Sequence, residues 1–235
     1  MPTSSFALRW AYNFLGLFYP NLCLACGKGL PPRQEAICLS CQFKLPKTNH
    51  HLHLENAFTE RFWGRVQLQA GAALFHFSKG GRTQRLIHNL KYEGKREIGV
   101  KLGQIYGYQL RQALVFREVN LIIPVPLHPR KEQLRGYNQS AAFAQGLAHA
   151  MAKPWLKDGL KRLEYTTTQT QKTRLERFDN VSEAFVVVHS RKLENKHILL
   201  VDDVITTGAT LEACALKILE LPGTKVSMAT IAIAE

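Results

Sequence analysis

Two adjacent carboxylates, Asp202 and Asp203, follow four apolar residues in the stretch ILLVDDVITTGAT, residues 198–210. The apolar run predicts a buried strand, and both carboxylates would resist burial at its end unless a ligand satisfied them. A sugar diol can do so, because each carboxylate accepts hydrogen bonds from hydroxyl groups, and a nearby divalent cation would relieve the paired charge. We therefore expect this strand end to hold a ligand that carries a sugar diol.

The residues after the two aspartates have the types needed to hold a phosphate. They combine hydroxyl side chains with small residues just before a helical pattern opens, and they are Thr206, Thr207, Gly208, Ala209 and Thr210. Backbone N–H groups at the start of a helix form an anion site, and glycine and alanine leave that backbone open to approach. A diol holder followed by a phosphate cradle fits a ribose 5-phosphate.

Four of the five cysteines form two CxxC pairs, CLAC at 23–26 and CLSC at 38–41. Each pair can place two thiolates on one tight turn, and two such turns complete a tetrahedral zinc site. The predicted ligands are Cys23, Cys26, Cys38 and Cys41. Protein would fill all four positions, so the zinc is expected to be structural, with redox pairs or disulfides as the alternative. Cys214 is expected to be a buried core thiol.

The composition is that of a globular protein with an anionic partner. The chain has 235 residues, 46% of them hydrophobic, and a net charge of +13. Such a charge favours nucleic acid or a phosphorylated metabolite as partner. No apolar run approaches the length of a membrane span, so we expect no transmembrane segment. The apolar N-terminal segment before Pro20 predicts a short amphipathic helix without signal-peptide features, and a cytoplasmic location follows as an expectation.

The apolar periodicity predicts an α/β chain with three parts. Residues 1–48 are predicted as the N-terminal helix and four-cysteine zinc finger, 49–65 as a linker with solvated histidines, and 66–235 as the larger domain. Predicted strands lie at 66–78, 120–127, 184–189, 197–203 and 225–234. Alternation with helices indicates a mainly parallel, doubly wound sheet, in which ligands bind beyond the carboxyl ends of the strands.

The stretch at 198–210 resembles the phosphoribosyl pyrophosphate (PRPP) signature of type I phosphoribosyltransferases. Three further segments follow the double CxxC in an order that resembles the ComF family: LIHNLKYEGKREIGVKLG, PVPLHPRKEQLRGYNQS and TTTQTQKTRLERFDNVSEAF. The resemblance covers the chain from Pro20 onward. It implies a zinc finger ahead of a type I phosphoribosyltransferase-like domain.

This resemblance implies roles for individual residues. Asp202 and Asp203 match the pair that contacts the ribose hydroxyls, and the residues from Thr206 to Thr210 match the 5-phosphate loop. The matching pyrophosphate-loop candidates are Arg130, Lys131 and Arg135. The candidates for a hood over the site are Gln169, Lys172, Arg174 and Arg177. Mg²⁺ would bind together with PRPP.

Two functions remain open on these grounds. One is pentosyl transfer from PRPP to an unidentified acceptor in a protein linked to DNA uptake and natural transformation. The other is a non-catalytic PRPP-fold protein that binds single-stranded DNA with other competence proteins. A basic face is predicted for DNA from Lys79, Arg82, Arg85, Lys91, Lys95 and Arg96. A glutamine-dependent amidophosphoribosyltransferase is disfavoured, because Met1 and Pro2 leave no N-terminal cysteine nucleophile.

Overall fold

The computed structural model describes residues 21–31, 34–163 and 184–234. Its chain divides into two compact units, Met1–Leu45 and Pro46–Glu235. The predicted N-terminal helix and the four hood candidates lie outside the described residues. In the part of the chain that is described, no helix is both long and apolar enough to span a bilayer.

The larger unit is organised around a four-stranded sheet. Its strands are β1 (Ala70–Phe77), β2 (Leu121–Pro124), β5 (His197–Ile205) and β6 (Lys225–Ala234). They lie in the order β1-β6-β5-β2, and every neighbouring pair is parallel. The first predicted strand is a parallel edge strand beside β6.

Seven helices of this unit are described. They are α2 (Arg82–Tyr92), α3 (Arg96–Gln112), α4 (Leu114–Arg117), α5 (Pro129–Arg135), α6 (Gln139–Met151), α7 (Ser190–Leu193) and α8 (Ala209–Leu219). The short helix α1 (Leu39–Lys44) belongs to the first unit. The break between α2 and α3 falls at Glu93–Lys95, where Gly94 has a φ of 64°.

Both faces of the sheet are covered. Ile198 and Leu200 of β5 share one buried cluster with Leu211 and Ile218 of α8. The alternate strand residues, such as Leu199, are equally buried, and α6 contacts β2 and β5. Because successive side chains of a strand point to opposite faces, α8 and α6 cover different sides. The predicted α/β class with a parallel, doubly wound sheet is confirmed.

The segment 49–65 differs from the predicted linker, because it packs on the sheet of the larger unit. Phe58 and Phe62 are fully buried, and a Cβ added at Gly71 of β1 would lie 2.5 Å from the Phe58 ring. The Asn56 amide donates to the Gly71 carbonyl at 3.0 Å and accepts from the Phe58 N–H at 2.9 Å. His50 is also buried, and its pKa is lowered to about 4 by burial and by nearby His76.

The predicted strand at 184–189 forms a separate hairpin-like sheet. Its strand β4 (Phe185–Val187) pairs antiparallel with β3 (Leu160–Arg162). Leu160 and Phe185 are buried in the cluster that includes α8. The Arg162 guanidinium lies over the Phe185 ring, 5.5 Å from its centroid. This strand therefore adds to the core of the larger unit without joining the central sheet.

Helices α3 and α6 meet backbone to backbone. A Cβ added at Gly103 of α3 would lie 2.3 Å from the Phe143 carbonyl oxygen of α6. A Cβ added at Gly146 would lie 2.1 Å from the Val100 carbonyl oxygen. Real Cβ atoms do not approach this closely, so the helix pair requires glycine at both positions. The spacing of Gly99, Gly103 and Gly107 places one small residue per turn along α3.

We predict that Gly103→Ala lowers the free energy of unfolding of the larger unit by about 3 kcal/mol, because the helices must separate to admit the methyl group. Gly29→Ala is the matched control, since a Cβ there meets nothing within 4 Å. Urea unfolding followed by circular dichroism measures both variants. Equal stability of the Gly103→Ala variant and the wild type would show that the helix contact is not tight.

Candidate functional site

The four predicted zinc ligands lie together in the first unit. The thiols of Cys23, Cys26, Cys38 and Cys41 all lie within 4.8 Å of one another. The first CxxC turn is closed by the Gly27 N–H, which donates to the Cys23 carbonyl at 2.7 Å, and Gly27 has a φ of 76°. The second pair begins α1, with Cys38 as its N-cap residue. Within the described residues this is the one cluster of metal-ligating side chains of its kind, and it could hold a zinc ion.

The chemistry of these thiols fits a cation. Burial raises the pKa of Cys23, but backbone hydrogen bonds led by the Cys38 N–H outweigh it and lower the pKa to about 6. The Cys38 N–H lies 3.3 Å from the Cys23 sulfur. Burial and contacts with the other thiols raise the pKa of Cys41 above the usual range. Four crowded thiols cannot all ionise unless a positive ion compensates them, so the set suits a metal better than four free thiols.

The double aspartate lies near the carboxyl end of β5, which continues two residues beyond it to Ile205. The Asp202 Oδ1 atom accepts a hydrogen bond from the Ser140 hydroxyl at 2.7 Å and from the Asp203 N–H at 2.8 Å. Ser140 lies at the start of α6, where the Asn138 side chain caps the helix. Because Asn138 caps the helix, the Ser140 hydroxyl remains available to Asp202.

Asp203 is neutralised by a lysine that sequence reasoning places elsewhere. The Lys91 ammonium lies 2.9 Å from Asp203 Oδ1, and the two side chains are 23% and 12% exposed. Lys91 is predicted to belong to the basic face for DNA, and its ion pair with Asp203 corrects that prediction. The ion pair joins the end of α2 to β5 across more than a hundred residues, and no local pattern signals it. Lys91 itself lies in LIHNLKYEGK, which is part of one of the segments that resemble the ComF family.

Burial acts on Asp202 more strongly than its hydrogen bonds do. Removal from water, followed by the charge of Asp203, raises the pKa of Asp202 from 3.8 to about 7. The Ser140 hydroxyl, the Asp203 N–H and the Lys91 ammonium act in the opposite direction. The pair therefore carries less than two full negative charges near neutral pH until a ligand supplies further compensation.

The loop after β5 has the backbone of a helix-start anion site. Gly208 is the N-cap residue of α8 with a φ of 85°, and the first helical bond runs from the Glu212 N–H to its carbonyl. The Thr210 N–H lies before the donor of that first bond, so it belongs to the opening amides of the helix, which have no acceptor within the helix. A Cβ at Gly208 would also lie 3.0 Å from the Phe62 ring, so segment 49–65 packs closely against the loop. Thr206 and Thr207 are exposed.

The three pyrophosphate-loop candidates lie on one short helix, α5. Arg130 and Lys131 are exposed on its first turn, and Arg135 lies at its end before Gly136, whose φ is 77°. The Arg135 guanidinium lies over the Tyr92 ring, 5.4 Å from its centroid, and Tyr92 follows Lys91. The structure thus links Arg135 to α2, at the residue next to the lysine that pairs with Asp203. It gives Arg130 and Lys131 no such link among the described residues.

No family model matches the chain. Among solved structures, it is similar to a glutamine PRPP amidotransferase from B. subtilis, with a TM-score of 0.43 and 21% identity over 61% of this chain. It is also similar to a hypoxanthine phosphoribosyltransferase from Staphylococcus aureus, with a TM-score of 0.36 and 18% identity over 57% of this chain. The chain spans 30% of the first solved chain and 62% of the second.

Curated relatives match most of the chain. "Competence protein F" of Haemophilus influenzae is 27% identical over 83% of this chain and 89% of its own length. "DNA utilization protein YhgH" of Escherichia coli K12 is 28% identical over 85% of this chain and 91% of its own length. "Competence protein ComFC" of Bacillus subtilis is 24% identical over 79% of each chain. These relatives confirm the resemblance to the ComF family that the sequence predicts.

Proposed function

We propose that this protein binds PRPP at the carboxyl end of β5 and belongs functionally with the phosphoribosyltransferases. The observation that carries the proposal is the pairing of two adjacent carboxylates with a helix start at Gly208, five residues after the second carboxylate. Asp202 and Asp203 would accept the ribose hydroxyls, and the loop from Thr206 to Thr210 would receive the 5-phosphate on hydroxyls and backbone N–H groups.

The charges around the aspartates support a ligand that arrives with a cation. One lysine, Lys91, lies against two carboxylates, so a diphosphate ligand entering beside them would meet net negative charge. Mg²⁺ bound to PRPP would supply charge neutralisation for both sides. Arg130, Lys131 and Arg135 are the proposed partners of the diphosphate by resemblance to the family.

Pentosyl transfer requires no activated nucleophile on the protein. Holding the sugar diol and the 5-phosphate fixes the orientation of the reacting carbon, and orientation with charge neutralisation supplies most of the rate in such a reaction. Catalytic residues therefore stay unassigned in this proposal. Gln169, Lys172, Arg174 and Arg177 remain hood candidates by resemblance, outside the described residues.

A second proposed function is the handling of single-stranded DNA, alone or with other competence proteins. The names of the relatives favour it, since they refer to competence and to DNA utilization. The net charge of +13 supports an anionic polymer as partner. Five cations of the predicted basic face are exposed: Lys79, Arg82, Arg85, Lys95 and Arg96. Cysteine thiols stay reduced, and so available to zinc, in a reducing compartment. The proposal therefore includes the predicted cytoplasmic location.

We predict that Asp202→Asn combined with Asp203→Asn weakens the binding of PRPP with Mg²⁺ at least 100-fold. Each amide replaces an acceptor by a donor toward the diol and removes a charge that suits the cation. Asp158→Asn is the matched control, because Asp158 is 58% exposed and pairs with His189. Isothermal titration calorimetry compares the three proteins. Unchanged affinity in the double variant would contradict the site assignment.

The raised pKa of Asp202 predicts a stability cost at alkaline pH. The folded protein keeps a proton on Asp202 up to about pH 7, whereas the unfolded chain loses it near 3.8, so the free energy of unfolding falls as the pH rises between these values. Asp202→Asn removes this loss. We expect the variant to be more stable than the wild type at pH 8, by at most about 4 kcal/mol, and nearly equal at pH 4.

Urea unfolding at both pH values measures this difference. Asp158→Asn again serves as control, because the Asp158 carboxyl hydrogen-bonds to His189 and has a lowered pKa, so it should show no gain at pH 8. A less stable Asp202→Asn variant at pH 8 would show that the hydrogen bonds of the carboxylate outweigh its burial.

We propose zinc as the metal of the cysteine cluster, at one equivalent per chain. Cys38→Ala should release it and unfold the first unit, because that unit is too small to fold on a hydrophobic core alone. Cys214→Ala is the control, since Cys214 is buried in α8 of the other unit and should keep full zinc. Elemental analysis of the purified proteins gives the result. Wild-type protein purified without zinc, and unable to bind it when reduced, would refute the assignment.

A further inference from the structure

A second cleft lies on the larger unit, where three helices end. It encloses about 590 Å³, which is within the range of small-molecule sites. It is lined by Tyr108, Arg111, Gln112, Phe116, Arg117, Met151, Ala152 and Lys153. These residues come from the last turns of α3, α4 and α6 and from the residues just after α6.

The lining carries three positive charges and no carboxylate. Arg111, Arg117 and Lys153 supply the charges. No ion pair to Arg111 or Arg117 is found across residues 21–31, 34–163 and 184–234. The Lys153 ammonium donates to the Arg117 carbonyl at 3.0 Å, which holds it at the cleft and leaves two of its N–H groups for other acceptors. An anion that enters therefore meets three cations in a lining that holds no carboxylate.

An exposed aromatic ring and an apolar floor complete the cleft. Tyr108 is 57% exposed, whereas Tyr106, two residues earlier on α3, is fully buried. Phe116 and Met151 are buried and form apolar lining. A flat ring beside cations is the combination that binds a nucleotide, because the base stacks on the aromatic face while the phosphate pairs with the cations.

We propose that this cleft is a nucleotide site, in which Tyr108 stacks a base and Arg111, Arg117 and Lys153 hold its phosphate. The nucleotide is either free or part of a single strand, since both present the same chemistry. The inference deepens the proposed handling of single-stranded DNA, on which it rests for its polymer form, and it is independent of PRPP binding.

The cleft is distinct from the double-aspartate site. Helix α6 links the two, since Ser140 in its first turn bonds to Asp202 and Met151 at its last residue lines the cleft. Eleven residues at a rise of about 1.5 Å each separate the two ends by roughly 17 Å. One mononucleotide cannot occupy both places.

The basic residues have a competing role that the experiment must separate. Cations near the carboxyl end of a helix balance its dipole, and all three cations lie at such ends. A residue with only this role would affect folding stability and not ligand affinity. Tyr108 has no part in that role, so its substitution tests the ligand directly.

The experiment uses fluorescently labelled oligo(dT) of 12 nucleotides and, separately, dTMP, each titrated with full-length protein over a range of salt. Arg111→Gln with Arg117→Gln should weaken binding of the oligonucleotide about tenfold and reduce the salt slope by about 1.4, the value for two phosphate contacts on a single strand. Tyr108→Ala should weaken it about tenfold with an unchanged slope. Thermal unfolding confirms that each variant folds.

Arg191→Gln with Lys192→Gln is the matched control, since it removes the same charge from exposed positions of α7, outside the basic face proposed for DNA. An equal or larger loss in this control than in the cleft variants would overturn the cleft. If the cleft variants lose binding of dTMP but keep binding of oligo(dT), the cleft is a free-nucleotide site. If they lose binding of oligo(dT) but keep binding of dTMP, it is a site for a strand. Wild-type protein that binds neither ligand at low salt would refute both this inference and the DNA function, whereas binding that the cleft variants leave intact refutes the inference only.

Discussion

Two neighbouring carboxylates within a buried strand are the constraint on which the larger unit depends. Uncompensated charge in a protein interior costs several kcal/mol per group, so Asp202 and Asp203 must find partners inside the fold. Asp202 receives the Ser140 hydroxyl from α6 and the N–H of its own neighbour. Asp203 receives the Lys91 ammonium from α2. Two helices that flank the sheet are thereby fixed to one strand end.

The remaining contacts hold those two partners in place. Asn138 donates to the Val125 carbonyl just beyond β2 and caps α6, which sets the position of its first turn. The close glycine contact between α3 and α6 leaves α6 little freedom to slide. The Tyr137 hydroxyl donates to the Leu90 carbonyl, next to Lys91, and so ties the start of α6 to the end of α2. Packing far from the aspartates therefore decides how well they are compensated.

Local sequence patterns are sufficient for the four strands of the central sheet and for the cysteine pairs, because their periodicity and spacing are contained in short windows. They are not sufficient for contacts between distant segments. Nothing near Lys91 indicates Asp203, and the polar composition of residues 49–65 conceals Phe58 and Phe62, which pack on β1 and beneath Gly208. The strand at Phe185 has a composition that suits the central sheet, but it pairs with Leu160–Arg162 instead. No local pattern indicates that partner.

The two ends of α6 place opposite demands on a phosphorylated ligand. At the first end a phosphate meets two carboxylates and one lysine, so attraction there requires that the ligand bring a divalent cation. At the other end it meets Arg111, Arg117 and Lys153 with no acid in the lining, so no added cation is needed. Chelation of divalent ions should therefore remove binding at the double aspartate while leaving binding at the cleft intact. A difference in metal dependence, rather than in affinity, is the property that separates the two sites.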